Sequence, residues 1–398
     1  MTTGELHRKT TQLCSRLIQA RSYSGQEQQA AQVLQNAMRE LGYDEVTVDA
    51  YGNVIGLLRG NRPGRRVLLD GHIDTVPVQE PERWSFDPFG GEITADRVCG
   101  RGASDMKGAV AAMTVAAAAY AENCGRDFPG EIYVAGVVYE ELFEGIASRK
   151  ISEFVQPDYV IIGESTHLNL KIGQRGRAEL VAETIGKPAH SANPEKGVNA
   201  VKKMMKLLAA LEAYVPREQE GLGKAIMELT DIISEPYPGS SVLPQRCIAT
   251  FDRRLLVGDT PESVLEPLHH AIAFLSAEDP DFQAKAYVRE KTMPCYTGSE
   301  ISAQRFFPAW MFRREDDFVK ASYEALCEVE GIQPTITAYS FCTNGSHYAG
   351  EMGIRTIGFG PSLEALAHTV DEYVLIEQLN RSAEGYLKLL DALLVRIV

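Results

Sequence analysis

The sequence predicts an α/β protein in which a sheet flanked by helices is interrupted by a smaller inserted domain. Its 398 residues exceed what one hydrophobic core usually organises. Several strongly apolar stretches end abruptly in acidic or histidine residues, and open α/β sheets place their sites at such strand ends. After residue 172, six elements follow in the order β-α-β-β-α-β, which is typical of a ferredoxin-like unit. We therefore predict a main domain made of 1–172 and 291–398, with an inserted domain at 173–290.

The amino-acid composition is that of a globular protein and argues against several classes of partner. Hydrophobic residues make up 44% and charged residues 24% of the chain, as in a globular protein. The net charge of −14 argues against nucleic acid or an anionic membrane as a partner, because both attract a basic face. The apolar run Ala109–Tyr120 is too short to span a bilayer. Seven scattered cysteines and an N-terminus without a signal-peptide core favour a reducing, cytoplasmic location.

The N-terminal elements are predicted from local patterns. The residues before position 21 have the apolar spacing of an amphipathic helix. Ser24 and Glu27 are spaced as a capping box, which predicts that they open a second helix. Short strands follow at Val46–Val48 and Val54–Leu58.

The stretch Val67–Asp74, VLLDGHID, contains the first candidate functional residues. Its three leading apolar residues predict the end of a buried strand, after which His72 and Asp74 can point the same way. An imidazole beside a carboxylate is a metal-binding arrangement, because one ring nitrogen binds the metal while the carboxylate holds the other side of the ring. Alone, such a pair is more often an ordinary loop.

A glycine-rich turn, GRGASDMKG at Gly100–Gly108, precedes an alanine-rich helix at Ala109–Ala121. Asp105 in this turn is a candidate ligand, and the competing interpretation is an ordinary helix N-cap. A phosphate-binding loop is disfavoured because the Lys-Ser/Thr ending is missing.

Two further apolar strands also end in acids. Glu131–Tyr139 is followed by Glu140 and Glu141, and Tyr159–Ile162 is followed by Gly163 and then a glutamate. Adjacent carboxylates at the end of a buried strand repel each other unless a cation is near. Three strands that end in this way indicate one shared cation site.

The inserted domain and the C-terminal part complete the pattern. The C-terminal part contains a predicted helix at Asp316–Glu330, a strand at Ile354–Phe359, a late histidine and a closing helix at Leu375–Leu394. The elements predicted for the inserted domain are the strand Arg177–Ile185, the helix Asn199–Ala213, the strands Leu229–Ser234 and Cys247–Leu256, the helix Pro261–Leu275 and the strand Ala284–Arg289.

Two imidazoles and three carboxylates form the candidate ligand set. These residue types suit zinc above all, with cobalt or manganese as alternatives. Five ligands are too many for one tetrahedral zinc but fit two metals that share a carboxylate and a water. Glu140 is then surplus and can act as a general base toward that water. The candidate ligands are His72, Asp105, Glu141, Glu164 and His368.

The motifs together resemble those of the co-catalytic zinc hydrolases. The motifs are H-I-D, G-A-S-D-M-K-G, the Glu-Glu pair, G-E-S, A-H-S-A-x-P-x-x-G-x-N-A and the late histidine. That family includes aminoacylase, acetylornithine deacetylase, succinyl-diaminopimelate desuccinylase and glutamate carboxypeptidase. The resemblance implies a zinc-exopeptidase-like catalytic domain with a central mixed sheet, plus a ferredoxin-like α+β domain for lid and dimer contacts. YTGSEISAQRFFPAW and FCTNGSHYAGEMGIRTIGFGP resemble the narrower bacterial branch of selenium-metabolism-linked hydrolases.

The resemblance also implies a role for each ligand. His72, Asp105 and Glu164 would bind one metal. Asp105, Glu141 and His368 would bind the other, so that Asp105 bridges the two ions.

Further roles are implied by the same resemblance. Glu140 would be the general base, and Asp74 would orient the ligands. His190, in KPAHSANPEKG, would reach the active site of a partner subunit and stabilise the oxyanion, although a lone histidine there reads as a surface residue. Arg254, in T-F-D-R-R-L, would bind the substrate carboxylate, where the plain alternative is a solvated arginine. Weaker substrate-site candidates are Arg175, Asn344 and Gly345.

The expected function follows from this set. We expect a metal-dependent homodimeric hydrolase that cleaves an amide bond of a small N-acyl amino acid or short peptide with a free carboxylate. The alternative functions are those of a dipeptidase, a carboxypeptidase or a ureido-amide hydrolase. A non-catalytic binding module that keeps the fold is a further alternative. The glycine-flanked turn and the resemblance also predict a cis peptide bond between Asp105 and Met106.

Overall fold

The computed structural model describes residues 1–397, which separate into two units. The main unit comprises Met1–Gln174, Thr292–Ser302 and 310–397, and the inserted unit comprises Arg175–Lys291 and Ala303–Ala309. The inserted unit therefore begins two residues later than predicted and takes a second segment from the C-terminal part. That segment joins it because Phe306 and Phe307 pair with an inserted-unit strand.

The helices include one that is buried on nearly every side. This helix, α3, is the alanine-rich element after the glycine turn, and its small side chains let neighbouring elements pack closely around it. Within the described residues the α-helices are α1 Thr3–Gln19, α2 Gln28–Glu40, α3 Gly108–Asn123, α4 Ser148–Val155, α5 Ala200–Leu211, α6 Pro261–Glu278, α7 Asp317–Cys327 and α8 Ile376–Asp391.

Among the described residues the strands form five sheets. Their bounds are β1 Glu45–Val48, β2 Val54–Arg59, β3 Arg62–His72, β4 Arg97–Cys99, β5 Pro129–Val137, β6 Tyr159–Ile162, β7 Leu170–Gln174, β8 Gly176–Ile185, β9 Glu218–Gln219, β10 Gly223–Lys224, β11 Ile226–Glu235, β12 Arg246–Leu255, β13 Gln283–Val288, β14 Glu290–Pro294, β15 Glu300–Gln304, β16 Phe306–Phe307, β17 Trp310–Met311, β18 Ile336–Tyr339, β19 Arg355–Gly358 and β20 Tyr373–Leu375.

The main unit contains a mixed sheet in the order β1-β2-β5-β3-β6-β19-β7-β17, with β18 beside β7. Its centre is parallel, because β3 pairs with β5 and β6 in parallel and β19 continues on β6. His72 lies opposite Val137, and Asp70 lies opposite Ile162. The carboxyl ends of these buried strands therefore meet at one edge of the sheet. The prediction of a central mixed sheet is confirmed.

The inserted unit contains an antiparallel sheet in the order β11-β12-β8-β13, with β16 also on β8. Helices α5 and α6 interrupt the strands in the predicted β-α-β-β-α-β sequence. Most residues of β8 and about half of those of β12 are buried, as expected for the central strands of a sheet that helices cover. The prediction of a ferredoxin-like inserted domain is confirmed.

The predicted capping box at Ser24 and Glu27 is wrong. Helix α2 begins at Gln28, and its N-cap residue Glu27 makes no side-chain capping bond. Instead, Ser24 Oγ donates to the Asp74 carboxylate at 2.7 Å, and Glu27 Oε1 accepts from the backbone N–H of Tyr139 at 3.2 Å. Both side chains serve tertiary contacts because the buried groups that they meet need hydrogen-bond partners.

The cysteines and the apolar helices were both considered in the composition of the chain. All seven cysteines are free thiols, and five of them are buried. Among the described residues, no helix combines the length and the apolar character needed to cross a bilayer.

Candidate metal centre

His72 lies at the carboxyl end of β3 and is fully buried. Its Nδ1 donates to the backbone carbonyl of Asp74 at 2.9 Å, while the Asp74 carboxylate is farther away, at 3.6 Å. A carbonyl can only accept, so Nδ1 carries a proton and Nε2 is the atom available to a metal. The backbone of Asp74 therefore orients the ring, in place of the carboxylate that the sequence suggested.

Asp105 lies between the two candidate histidine ligands. Its Oδ1 is 2.8 Å from His72 Nε2, and its Oδ2 is 3.1 Å from His368 Nε2. The turn that holds it leaves helical geometry at Asp105, and the peptide bond to Met106 is cis, which confirms that prediction. One carboxylate that presents an oxygen to each imidazole has the arrangement of a bridging ligand.

The two remaining candidate ligands complete the cluster from separate elements. Glu141 Oε2 lies 3.0 Å from His368 Nε2, and Glu164 Oε1 lies 3.6 Å from His72 Nε2. Atoms of His72, Asp105 and Glu141 lie within 4.8 Å of one another, as do atoms of His72, Glu140 and Glu164. The structure thus brings all five predicted ligands together.

Glu140 lies beside this cluster. Its Oε2 is 4.0 Å from His72 Nε2, and its Oε1 is buried without a hydrogen-bond partner among the described residues. Buried polar atoms are normally paired. An unpaired carboxylate oxygen in such a position has a free lone pair with which to accept a proton.

Buried carboxylates that are not predicted ligands hold the Glu140–Glu141 turn in place. Asp74 accepts the backbone N–H of Glu140 at 3.1 Å and that of Glu141 at 3.2 Å, one on each oxygen. Glu27 accepts the preceding N–H, from Tyr139. Three consecutive backbone groups are therefore fixed by two buried acids, so that the two glutamate side chains leave the turn in defined directions.

Burial and the neighbouring charges shift the pKa values of the residues in this cluster. Burial, together with the negative charge of Asp105, raises the pKa of Glu164 to about 8. Burial raises the pKa of Glu140 well above its usual range, and the neighbouring carboxylates add to the effect. Hydrogen bonds to Asp105 and Glu141 raise the pKa of His368 to about 10. Without a cation, the cluster thus retains protons to limit its negative charge.

The pKa of Asp105 shifts in the opposite direction. Burial opposes its ionisation, but hydrogen bonds from His368 and His72 outweigh burial and hold the pKa of Asp105 well below its usual value. This residue is the ionised centre of the cluster. Together with Glu140, Glu141 and Glu164, Asp105 brings four negative charges to the cluster when all are ionised, which two divalent cations would neutralise. The donor set of nitrogen and oxygen atoms fits such ions.

The predicted residues of the inserted unit lie on its strands and loops. His190 is exposed, and its Nδ1 accepts the backbone N–H of Ala192 at 3.1 Å. Arg254 lies on β12 and forms an ion pair with Asp252 at 2.7 Å. Arg175 donates to the carbonyl of Lys224 at 3.2 Å. Their predicted roles toward substrate stay predictions.

Asn344 and Gly345 lie in the main unit in a buried loop. Asn344 donates to the Asp70 carboxylate at 2.9 Å and accepts from the backbone N–H of Gly145 at 2.9 Å. A Cβ at Gly345 would lie 2.6 Å from the indole nitrogen of Trp310. Asn344 is therefore held by hydrogen bonds, and Gly345 is packed against an indole ring. Their predicted substrate contacts stay predictions.

Glu372 belongs to the environment of the centre but was missed from the sequence. It is completely buried and accepts the backbone N–H of Asp105 at 3.0 Å. Its only local signal is its position four residues after His368. Nothing in the segment itself indicates that it folds back onto the glycine-rich turn.

Comparisons with known proteins agree with this geometry. The profile of Peptidase family M20/M25/M40 matches residues 68–392, which include all five candidate ligands. An uncharacterized Escherichia coli (strain K12) protein, YgeY, is 32% identical over 355 residues, which span 88% of this chain and 86% of that protein. Succinyl-diaminopimelate desuccinylase 2 of Ruegeria sp. (strain TM1040) is 27% identical over 395 residues, which span 95% and 93% of the two chains.

A solved structure has the same fold. It is the Bacillus subtilis YXEP protein, described as a dinuclear metal-binding peptidase of the M20 family. Its TM-score is 0.70 at 15% identity, and the match covers 99% of this chain and 100% of that one.

Proposed function

Because this chain belongs to Peptidase family M20/M25/M40, we propose that it hydrolyses an amide bond in a small N-acyl amino acid or short peptide with a free carboxylate. The chain is a metal-dependent hydrolase of that family. The cluster around Asp105 carries the proposal, because one carboxylate reaches both imidazoles while further acids surround them. The desuccinylase relative supports an acylated amino acid as the substrate class.

We propose that two divalent ions, zinc first, are the resident metals. His72, Asp105 and Glu164 would hold one ion, and Asp105, Glu141 and His368 would hold the other. Imidazole and carboxylate ligands suit zinc, and cobalt or manganese would fit the same donors. When bound, such a pair polarises the scissile carbonyl and lowers the pKa of water toward neutrality.

Glu140 is the proposed general base. Its unpartnered Oε1 accepts the proton of the attacking water, and the same carboxyl group then donates that proton to the departing amine. Removal of a general base typically lowers turnover ~10²–10⁴-fold. Asp74 positions this base, because its carboxylate fixes the backbone N–H groups of Glu140 and Glu141.

The inserted unit is proposed to supply the groups that recognise substrate. The guanidinium of Arg254 would bind the substrate carboxylate, since planar guanidinium groups match carboxylates well. His190 would donate a hydrogen bond to the developing oxyanion of a partner subunit's site. Its side chain is exposed, and its Nδ1 accepts a hydrogen bond from Ala192, so that Nε2 carries the proton that such a role needs.

We propose that two chains form a homodimer through the inserted unit. Strand β11 lies at the sheet edge and exposes the apolar side chains of Leu229, Ile232 and Ile233. Pairing such an edge with its copy would cover it and generate two-fold symmetry. The scattered free thiols support a reducing, cytoplasmic location.

A substrate panel tests the proposal. Zinc-loaded and cobalt-loaded protein is supplied with N-acyl amino acids, dipeptides, longer peptides and N-carbamoyl amino acids, and release of the free amine is measured. We expect turnover of at least one acyl-amino-acid or peptide class, absent after chelation. Turnover of peptides without N-acyl amino acids would narrow the activity to that of a peptidase, and turnover of N-carbamoyl amino acids alone would support a ureido-amide hydrolase. No metal-dependent turnover of any class would support a binding module.

A further inference from the structure

We propose that Glu372 is a positioning residue that fixes the bridging carboxylate Asp105 relative to the segment that carries His368. The inference rests on the proposed metal-dependent function and adds a residue that lies outside the ligand set. Glu372 is fully buried, but the structure gives its two oxygens different partners on the glycine-rich turn.

The first oxygen of Glu372 binds the backbone of the turn. Its Oε1 accepts the N–H of Ser104 at 2.9 Å and the N–H of Asp105 at 3.0 Å. Asp105 has non-helical backbone angles, φ −125° and ψ 93°. A charged acceptor that binds two adjacent N–H groups is stronger and more directional than a neutral one. The Glu372 carboxylate thus fixes the backbone from which the bridging side chain projects.

The second oxygen of Glu372 is paired with a buried cation. Arg101 Nη1 donates to Oε2, and the Arg101 side chain is only 4% exposed. The Arg101 guanidinium also lies over the ring of Trp84, with its central carbon 5.3 Å from the ring centroid. Burial raises the pKa of Glu372 to about 7, and the positive charge of Arg101 opposes that effect and offsets part of the cost of burying the carboxylate. The pairing also aims the other oxygen at the turn.

The backbone around Glu372 joins the same two segments. Its carbonyl accepts the N–H of Gly100 at 2.9 Å, and Ser104 Oγ donates to the carbonyl of Tyr373 at 2.6 Å. Strand β20, which begins at Tyr373, pairs with β4 just before the turn. Since His368 lies only four residues before Glu372, these contacts link the two segments that place Asp105 and His368 side by side.

A neutral amide cannot replace this carboxylate. In Glu372→Gln, the new NH₂ group would face either Arg101 or the backbone N–H groups, and both are donors. Arg101 would also be left buried without an opposite charge. Outer residues that orient metal ligands typically contribute ~10–100-fold to metal affinity. We expect a loss of that size in the affinity for Co²⁺.

The experiment titrates metal-free full-length protein with Co²⁺ and records both the binding isotherm and the visible absorption of the bound ion. The matched control is Glu183→Gln, because Glu183 is also a buried carboxylate (5% exposed) and pairs with Arg246 at 2.7 Å, but in the inserted unit. Both variants neutralise a buried carboxylate that is paired with basic side chains, which for Glu183 are Arg246 and Lys285. We expect weaker Co²⁺ binding and an altered spectrum in Glu372→Gln only, with thermal unfolding of the metal-free proteins followed in parallel.

The outcomes separate the inference from the proposed function. Wild-type protein that binds no Co²⁺ would refute the proposed metal centre itself. Wild-type protein that binds two ions, with a Glu372→Gln variant of equal affinity and spectrum, would overturn the role of Glu372 alone. If Glu372→Gln does not fold, Glu372→Asp is tested instead. This variant keeps a carboxyl group but shortens the side chain by one methylene, which moves the carboxylate away from the backbone N–H groups of the turn. Co²⁺ affinity about tenfold weaker then supports the inference, and wild-type affinity overturns it.

Discussion

The Nε2 atom of His368 lies 3.1 Å from Oδ2 of Asp105, although one residue follows the last strand of the main sheet and the other precedes α3. The other oxygen of Asp105 faces His72 at 2.8 Å. A single carboxylate thus joins the two halves of the cluster.

The Glu140→Gln variant tests the general base. Gln keeps the size of the side chain but cannot accept the proton from water, so kcat should fall ~10²–10⁴-fold. Metal content should stay at the wild-type value, because Glu140 is surplus to the predicted ligand set. Glu153→Gln on the exposed surface of α4 is the control and should retain full turnover. Near-wild-type kcat in Glu140→Gln would remove Glu140 from the role of base.

Metal binding should release protons at neutral pH. Hydrogen bonds to Asp105 and Glu141 raise the pKa of His368 to about 10, so its ring is protonated in metal-free protein at pH 7. The ring must lose a proton to bind a metal, and affinity should therefore rise with pH and fall as the solution is acidified. Calorimetry in buffers of different ionisation enthalpy measures the released protons. Binding without proton release would contradict this assignment.

The strand ends of the metal centre could be predicted because their signal is local. An apolar run such as Glu131–Tyr139 followed by two glutamates identifies both the strand and the acids. Tyr159–Ile162 is a strand in the structure with the predicted bounds. The order of elements in the inserted unit was similarly visible from periodicity alone.

The supporting acids could not be predicted because their partners are distant in sequence. Glu372 acts on Asp105, and Glu27 acts on Tyr139, across more than a hundred residues. The local spacing predicted that Glu27 belongs to a capping box. In the structure its carboxylate instead accepts the buried backbone N–H of Tyr139, because buried N–H groups need a hydrogen-bond acceptor. Such contacts depend on the tertiary arrangement of several elements, which propensity and spacing do not encode.

Subunit complementation tests the proposed role of His190. Glu140→Gln chains and His190→Ala chains should each be inactive, since loss of an oxyanion donor typically costs ~2.7–4 kcal/mol of transition-state stabilisation. If His190 acts in the partner's site, a mixed dimer contains one intact site and should regain about half of wild-type activity. Native mass spectrometry verifies exchange. Verified mixed dimers without activity would place His190 in its own chain's site or outside catalysis.

Acid should weaken the packing of α5 on the end of α6. Lys203 and Lys206 donate to Asp279 at 2.7 and 2.8 Å, which lowers the pKa of Asp279 to about 2. A carboxylate with a depressed pKa stabilises the fold above its unfolded pKa of ~3.9, and this contribution is lost as pH falls through the folded value. Hydrogen exchange of α5 and α6 should therefore differ between wild type and Asp279→Asn at pH 6 and converge near pH 2. An equal difference at both pH values would contradict the assignment.

The metal stoichiometry of the chain tests the central claim most directly. Metal-free protein is titrated with zinc, freed of unbound ion and measured by elemental analysis, with His72→Ala and His368→Ala as comparison variants. Two ions that share Asp105 predict close to two zinc equivalents per wild-type chain, falling in both variants. A wild-type stoichiometry that never exceeds one would contradict the two-metal centre.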